Sequence, residues 1–376
     1  MMNESPLLSS LFPNTFQVME QALDSRLFPG AVVGIWQNQP QRHMFLQSWG
    51  NRTEVPSPLP LRIDTPFDLA SLSKVLATTA LTARLVDRGW ISWNTPLVHL
   101  LPDFTSPHVL IRHLLSHTAG LAAWKPFWKD LRDEFSPQSL FSVPILKRQK
   151  AMRKLLCAEV PEQPVETRAL YSDLSFLLLG FALEELTQLT LPQAVKRWVW
   201  DPMEIEGLQF HPVLNHPSRQ VLPEVAATED CSWRGGILQG QVHDDNCWAM
   251  GGYGGHAGVF GRARDILSFV DQLMNGFYAP STLQGLLHPV SQPLGCTRTL
   301  GWDTPTPGAS SAGQFFSPFS IGHLGFTGTS LWIDLEAQLA VTVLTQRVHP
   351  QRDRSDLKAF RPAIHDAIRL DLRKQV

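Results

Sequence analysis

The chain has 376 residues, of which 43% are hydrophobic and 18% charged, and its formal net charge is −2 at pH 7. Such a composition suits a globular protein with a large core, and a near-neutral chain without a Lys/Arg run interleaved with aromatics gives no basis for nucleic acid or an anionic membrane as partner. Its four cysteines, Cys157, Cys231, Cys247 and Cys296, are far apart and form no CxxC pair, so no zinc site or disulfide framework is expected; no cofactor is expected.

In chain order, "MMNESPLLSSLFPNTF" has neither a basic start nor a sustained apolar core, so the expected location is cytoplasmic, or periplasmic if an export signal has been removed. Residues 14–27 read as an amphipathic helix with Asn14 as N-cap. "GAVVGIWQN" (30–38) and "HMFLQSWGN" (43–51) read as a hairpin. Residues 73–89 form a strong helix ended by Gly89, and 108–121 a short helix and turn. The stretch 122–166 reads as irregular, and 172–188 as a strongly apolar helix. A glycine loop, "GGYGGHAGVFG" (251–261), leads into a helix over 263–275. "SIGHLGFTGTSLWIDLE" and "QLAVTVLTQ" read as two strands before a helical tail from about Ser355. No stretch of roughly eighteen apolar residues appears, so no membrane span is expected.

Strands from both chain ends around a helical middle predict an α+β fold: one antiparallel sheet flanked by terminal helices, with a large helical insertion. The expected organisation is a single domain over 1–376. Its sub-regions are 15–65 plus 285–376 for the sheet and 66–284 for the helical part.

Three short segments carry candidate chemistry. In "FDLASLSKVLATT", Ser71 and Lys74 are three residues apart at a helix start, which places them on one face. A lysine among apolar neighbours loses pKa through burial and can then take the serine proton. Free N–H groups at a helix start stabilise developing negative charge. Ser73 is the rival nucleophile, although its adjacency to Lys74 points it elsewhere. In "ALYSDLSFLLLG", Tyr171 precedes an apolar helix, where it could share a proton with a lysine and pass it to a leaving group; Asp173 could equally be a helix cap. In "GHLGFTGTSLWID", His323-Leu324-Gly325 opens a strand. Gly325 permits close approach of a ligand, and the Phe326 N–H could pair with that of Ser71 as an oxyanion hole.

Taken together, S-x-x-K at Ser71–Lys74, Tyr171-Ser172-Asp173 and His323-Leu324-Gly325 resemble, in order and spacing, the serine β-lactamase/penicillin-binding family. The similarity is to its class C β-lactamase and D-Ala-D-Ala carboxypeptidase branch, whose motifs are S-x-x-K, Y-x-N and K/H-x-G. The flanking strings "IRHLLSHTAGL" and "VHDDNCWAMGGYGGHAGVFG" agree, and the resemblance runs from about residue 15 to 370. It implies catalysis by Ser71, Lys74 and Tyr171, and an oxyanion hole from the backbone of Ser71 and Phe326. Substrate contacts would come from Asp173, His323 and Gly325, with Trp124 in the cleft wall beside Phe127 and Trp128. His256 of the glycine loop could face the cleft, and "VHDDN" borders that loop without implying a metal. His113 and His117 read as structural.

Three departures matter. Asp173 stands where the family has an amide-donating Asn, and a carboxylate cannot donate; it should also hold Lys74 more protonated. His323 replaces lysine, and Leu324 removes a hydroxyl. The expectation is therefore a serine hydrolase acting through an acyl-enzyme on a small ester or amide, such as a D-amino-acid peptide, and a weak β-lactamase at most. The alternative is a non-catalytic sensor of muropeptides or β-lactams. The expected partner is a small-molecule or peptide substrate.

Overall fold

Period-2 alternation decides which side of the central sheet meets which helices. The computed structural model describes residues 3–39, 41–136, 139–212, 221–353 and 357–374. Strands Gly30–Gln37 and His43–Thr53 form the expected antiparallel hairpin. The sheet order is Asn3–Pro6, His43–Thr53, Gly30–Gln37, Leu339–Thr345, Ser330–Asp334, Ile321–Leu324, so the two chain ends meet at its centre. Ala31, Val33 and Ile35 pack with Met19, Ile364 and Ile368 of the terminal helices Pro13–Asp24 and Phe360–Arg373. Val32 and Trp36, on the opposite face, join the larger core with Ile266 and Leu267 of helix Ala263–Met274. The fold is α+β, as the strand and helix order predicts.

Several boundaries differ from expectation. Asn14 is not an N-cap: the helix starts at Pro13. Asp371, in the last turn of the C-terminal helix, accepts from the Asn14 and Thr15 N–H groups at 3.2 and 2.8 Å, so the cap comes from the far end of the chain. The stretch 122–166 is not irregular throughout, because it holds helices Phe127–Phe135 and Ile145–Cys157. Proline, tryptophan and basic residues obscure their periodicity. The segment read as one strand in 320–336 is two, Ile321–Leu324 and Ser330–Asp334, joined by a tight turn. Helix Asp173–Thr187 is buried from Leu174 to Leu183 on every side, as expected of a helix apolar all round. Among the described residues no single helix is long and apolar enough to cross a membrane.

Candidate active site

Ser71 lies in the first turn of a continuous helical stretch, Ala70–Leu72 in 3₁₀ form, Lys74–Thr79 in π form and Ala80–Asp87 in α form. It begins three residues before the sequence expectation and ends as expected at Gly89, whose φ is +70°. Entry is set by Asp68, whose Oδ1 accepts from the Ala70 N–H at 2.8 Å. Lys74 is completely buried. Its Nζ donates to Ser71 Oγ at 3.0 Å and to the His256 carbonyl at 3.0 Å, and it pairs with Asp173 Oδ1 at 2.8 Å. Two hydrogen bonds and one ion pair thus hold the buried ammonium. Burial works against that charge, but Asp173 and Tyr171 outweigh it and set the Lys74 pKa above the ordinary lysine value. Burial alone would have lowered it. Ser73 is excluded as the cleft nucleophile by position: it is fully buried and its Oγ accepts from the Val259 N–H at 3.0 Å.

The glycine loop reaches Lys74 because Gly255 has no side chain. A Cβ there would lie 1.9 Å from the Phe176 carbonyl oxygen. Thr78 Oγ1 donates to the Gly255 carbonyl at 2.7 Å, beside the His256 carbonyl that Lys74 uses.

Tyr171 sits at the centre of a ring of basic groups. Lys74 Nζ is 5.0 Å from its ring centroid, the Arg298 guanidinium 5.6 Å, and the His117 and His323 rings 4.6 and 5.9 Å. Burial raises the Tyr171 pKa and Asp173 adds to this; Lys74 and hydrogen bonds from Lys74 and Ser71 pull the other way, leaving it above the ordinary phenol value. His117 accepts the Ser172 N–H on Nδ1 at 3.0 Å. It is thus structural, as expected, but it bonds a backbone donor and orients the Tyr171 segment. Ser172, not Asp173, is the N-cap of the following helix, its side chain accepting from the Ser175 N–H at 3.2 Å.

His323 is almost wholly buried, and Nδ1 lies 3.0 Å from the Leu324 carbonyl oxygen. Burial, then Lys74 and Arg298, hold its pKa well below the ordinary value. His323 is therefore a neutral ring at physiological pH, and Arg298, paired with Asp303, is a permanent cation on this side of the cleft.

Gly325–Gly328 is a β-turn closed by the Gly328 N–H on the Gly325 carbonyl at 3.1 Å. In such a turn the N–H of the second residue, here Phe326, takes no part in the closing bond. A Cβ on Gly325 would stand 1.9 Å from Thr329 Oγ1 and 2.8 Å from the Leu69 carbonyl oxygen. Thr327 and Thr329 hydroxyls donate to the Asp68 and Leu69 carbonyls at 2.8 and 3.1 Å. This ties the turn to the segment that delivers Ser71.

Two compartments flank Ser71, Tyr171 and Phe326. One, of about 350 Å³, is lined by Trp124, Asp173, His243, Asp244, His256 and Arg352 among others. The second, of about 370 Å³, is lined by Arg298, His323, Gly325, Arg347 and Arg361 among others. Trp124 is 48% exposed in the first wall. Phe127 is buried instead, and Trp128 stacks on Trp233 at 4.6 Å. His256 lines the cleft but is itself buried, with Nε2 2.8 Å from Asp244 Oδ1. Asp244 also caps helix Asp245–Ala249 by accepting the Cys247 N–H at 2.7 Å. These bonds to His256 and Cys247 outweigh its burial and hold the Asp244 carboxyl well below the usual range. "VHDDN" is thus a structural corner, and among the described residues no group of His, Cys, Asp and Glu is arranged to hold a metal. Sequence reading missed Arg298, Arg347 and Arg361, which lie outside every motif and carry no local signal.

The beta-lactamase family model matches residues 16–364. The chain belongs to the beta-lactamase family. A protein of Salmonella agona (strain SL483) named "Putative D-alanyl-D-alanine carboxypeptidase" is 27% identical over 350 residues, covering 82% of this chain and 77% of its own. The solved structure of "EstCE1, a hydrolase with promiscuous acyltransferase activity" superposes with a TM-score of 0.71 at 21% identity, covering 96% of this chain and 99% of the other. A class C beta lactamase from Rhodobacter sphaeroides gives 0.67 at 18% identity, with 96% and 99% covered. These structural likenesses show a shared β-lactamase/transpeptidase-like fold. The family membership expected from the three motifs holds for this beta-lactamase-family chain, and its relatives are serine hydrolases.

Proposed function

We propose that this protein is a serine hydrolase that forms an acyl-enzyme at Ser71. The observation that carries the reading is the buried contact of Lys74 Nζ with Ser71 Oγ at 3.0 Å, beside the Tyr171 phenol in the same cleft. Once the Lys74–Tyr171 pair has lost one proton, it accepts the Ser71 proton as Oγ attacks the carbonyl. The Ser71 and Phe326 N–H groups receive the oxyanion. The pair then returns the proton to the leaving oxygen or nitrogen, and water repeats the sequence to release the acid.

The substrate is a small ester or amide, and a short D-amino-acid peptide with a free carboxylate fits best. Support comes from the arginine-lined compartment beside Ser71 and from the name of the Salmonella relatives. Asp173 and Trp124 would contact the acyl side. His323 and Gly325 would shape the other wall, with Arg298 in place of a lysine as cation. β-Lactam hydrolysis should be slow, because Asp173 cannot donate to a β-lactam side-chain amide and Leu324 offers no hydroxyl. A nucleophile, a base and oxyanion donors in the proposed roles favour catalysis over the binding-only alternative. Intact-mass spectrometry after incubation with a fluorophosphonate, a penicillin and a muropeptide pool tests the reading. A stable adduct on Ser71 is expected with the fluorophosphonate, and failure of every probe to label or be consumed overturns it.

A further inference from the structure

We propose that Arg361 is a positioning residue for the oxyanion hole, acting on the Phe326 N–H through the Gly325 carbonyl; the proposal rests on the acyl-enzyme reading above. Arg361 stands in the first turn of the C-terminal helix Phe360–Arg373, 36 residues along the chain from Gly325. Its Nη2 donates to the Gly325 carbonyl at 3.0 Å and lies 3.4 Å from the Thr329 carbonyl. The Gly325 carbonyl and the Phe326 N–H belong to one planar, conjugated peptide group. A charged donor on the oxygen draws electron density from the nitrogen and strengthens the N–H as a donor, the cooperative effect of linked hydrogen bonds in a low-dielectric site.

The same contact fixes direction. The Gly325 carbonyl is held by the Gly328 N–H as well as by Arg361, so its peptide plane cannot rotate without breaking both bonds. The next peptide is clamped likewise: Arg347 Nε donates to the Phe326 carbonyl at 2.8 Å, and its guanidinium lies 4.4 Å from the Phe326 ring centroid. From the other side, the Thr327 and Thr329 hydroxyls bind the Asp68 and Leu69 carbonyls, just ahead of Ser71. The two oxyanion donors are therefore held in one cross-braced unit. Preorganised donors of this kind act in the transition state and not in substrate binding.

The test uses a neutral short-chain ester, which has no carboxylate for an arginine to bind. Arg361→Ala should lower kcat about tenfold with KM within about twofold, a smaller loss than the roughly hundredfold or more of deleting an oxyanion donor outright. Affinity for phenylboronic acid, whose tetrahedral anion mimics the intermediate, should fall in parallel with kcat/KM across Arg361→Ala, Arg361→Gln and Arg361→Lys. Lysine should restore most of the loss and glutamine little. Added guanidinium at low millimolar concentration should partly rescue the alanine variant. If neutral-ester kcat is unchanged and only KM for a carboxylate-bearing peptide rises, Arg361 is a substrate contact and the proposal fails. If the three variants lose activity in proportion to lost thermal stability, with boronate affinity unmoved, the role is structural and the proposal fails. If the unaltered protein neither turns over the ester nor labels with a fluorophosphonate, the acyl-enzyme reading falls and this inference with it.

Discussion

Lys74 and Asp173 form an ion pair at 2.8 Å on the floor of the cleft, with Lys74 fully buried and the Asp173 side chain 17% exposed. The pair settles the charge of the lysine in the resting site. Under the proposed mechanism, a base is therefore generated only when the Lys74–Tyr171 pair sheds a proton. Because that pair is coupled, its pKa values belong to both groups.

The first prediction is an alkaline rise in acylation. Asp173 raises the pKa of both Lys74 and Tyr171. Ester kcat/KM should keep climbing above pH 8, and Asp173→Asn should shift the limb to lower pH, since removing the anion favours loss of the proton. A pH–rate profile that is flat above neutrality, or an upward shift in the variant, contradicts this assignment.

The second separates the two serines. Ser71→Ala should abolish fluorophosphonate labelling and leave the melting temperature nearly unchanged. Ser73→Ala should still label but should be destabilised by about 1–3 kcal/mol, because the buried Val259 N–H loses its acceptor. Labelling assayed beside thermal denaturation decides between them.

The third concerns the proton relay. Lys74→Ala and Tyr171→Phe should each lower kcat roughly a hundredfold or more. The double variant should cost little beyond either, since groups that act as a unit are non-additive. Losses that multiply would place the two side chains in separate steps.

A fourth prediction replaces His323 by Arg298 as the cation that meets a substrate carboxylate. Arg298→Ala should raise KM for a carboxylate-bearing peptide about tenfold and leave neutral-ester kinetics nearly unaltered. His323→Lys should not create a β-lactamase: it would bury a further cation beside Lys74 and Arg298 and should depress stability. Asp173→Asn with Leu324→Thr should raise cephalosporin turnover relative to the ester. Efficient cephalosporin hydrolysis by the unaltered protein would show that these positions do not govern substrate choice.

The last concerns acid stability. His117 and His323 have pKa values held well below the ordinary value by burial, and burial brings His365 down to about 4. Below the unfolded value of about 6.5 the unfolded chain takes up protons that the folded chain refuses, so stability present at pH 7 should fall as the pH drops toward 4. Denaturant midpoints across that range check the sign, and a midpoint that rises on acidification would refute it.

Ser71 and Lys74 were legible in the sequence because three residues along a helix is a local distance, fixed by backbone geometry alone. The strand 30–37, its partner 43–53 and the helix from Asp173 were legible for the same reason: period and apolar density act within a few residues. The cap on Asn14 and Thr15 was not, because its acceptor, Asp371, lies at the other end of the chain. Nor was the neutral state of His323, since a titration depends on burial and on charges such as Lys74 and Arg298 that folding brings near. Motif order determined the family and pointed to the groups proposed to react. Tertiary structure alone placed Tyr171 against Lys74, set Arg298 beside the cleft and laid Arg361 on the Gly325 carbonyl, because hydrogen bonds and Coulomb interactions depend on distance in space and not on separation along the chain.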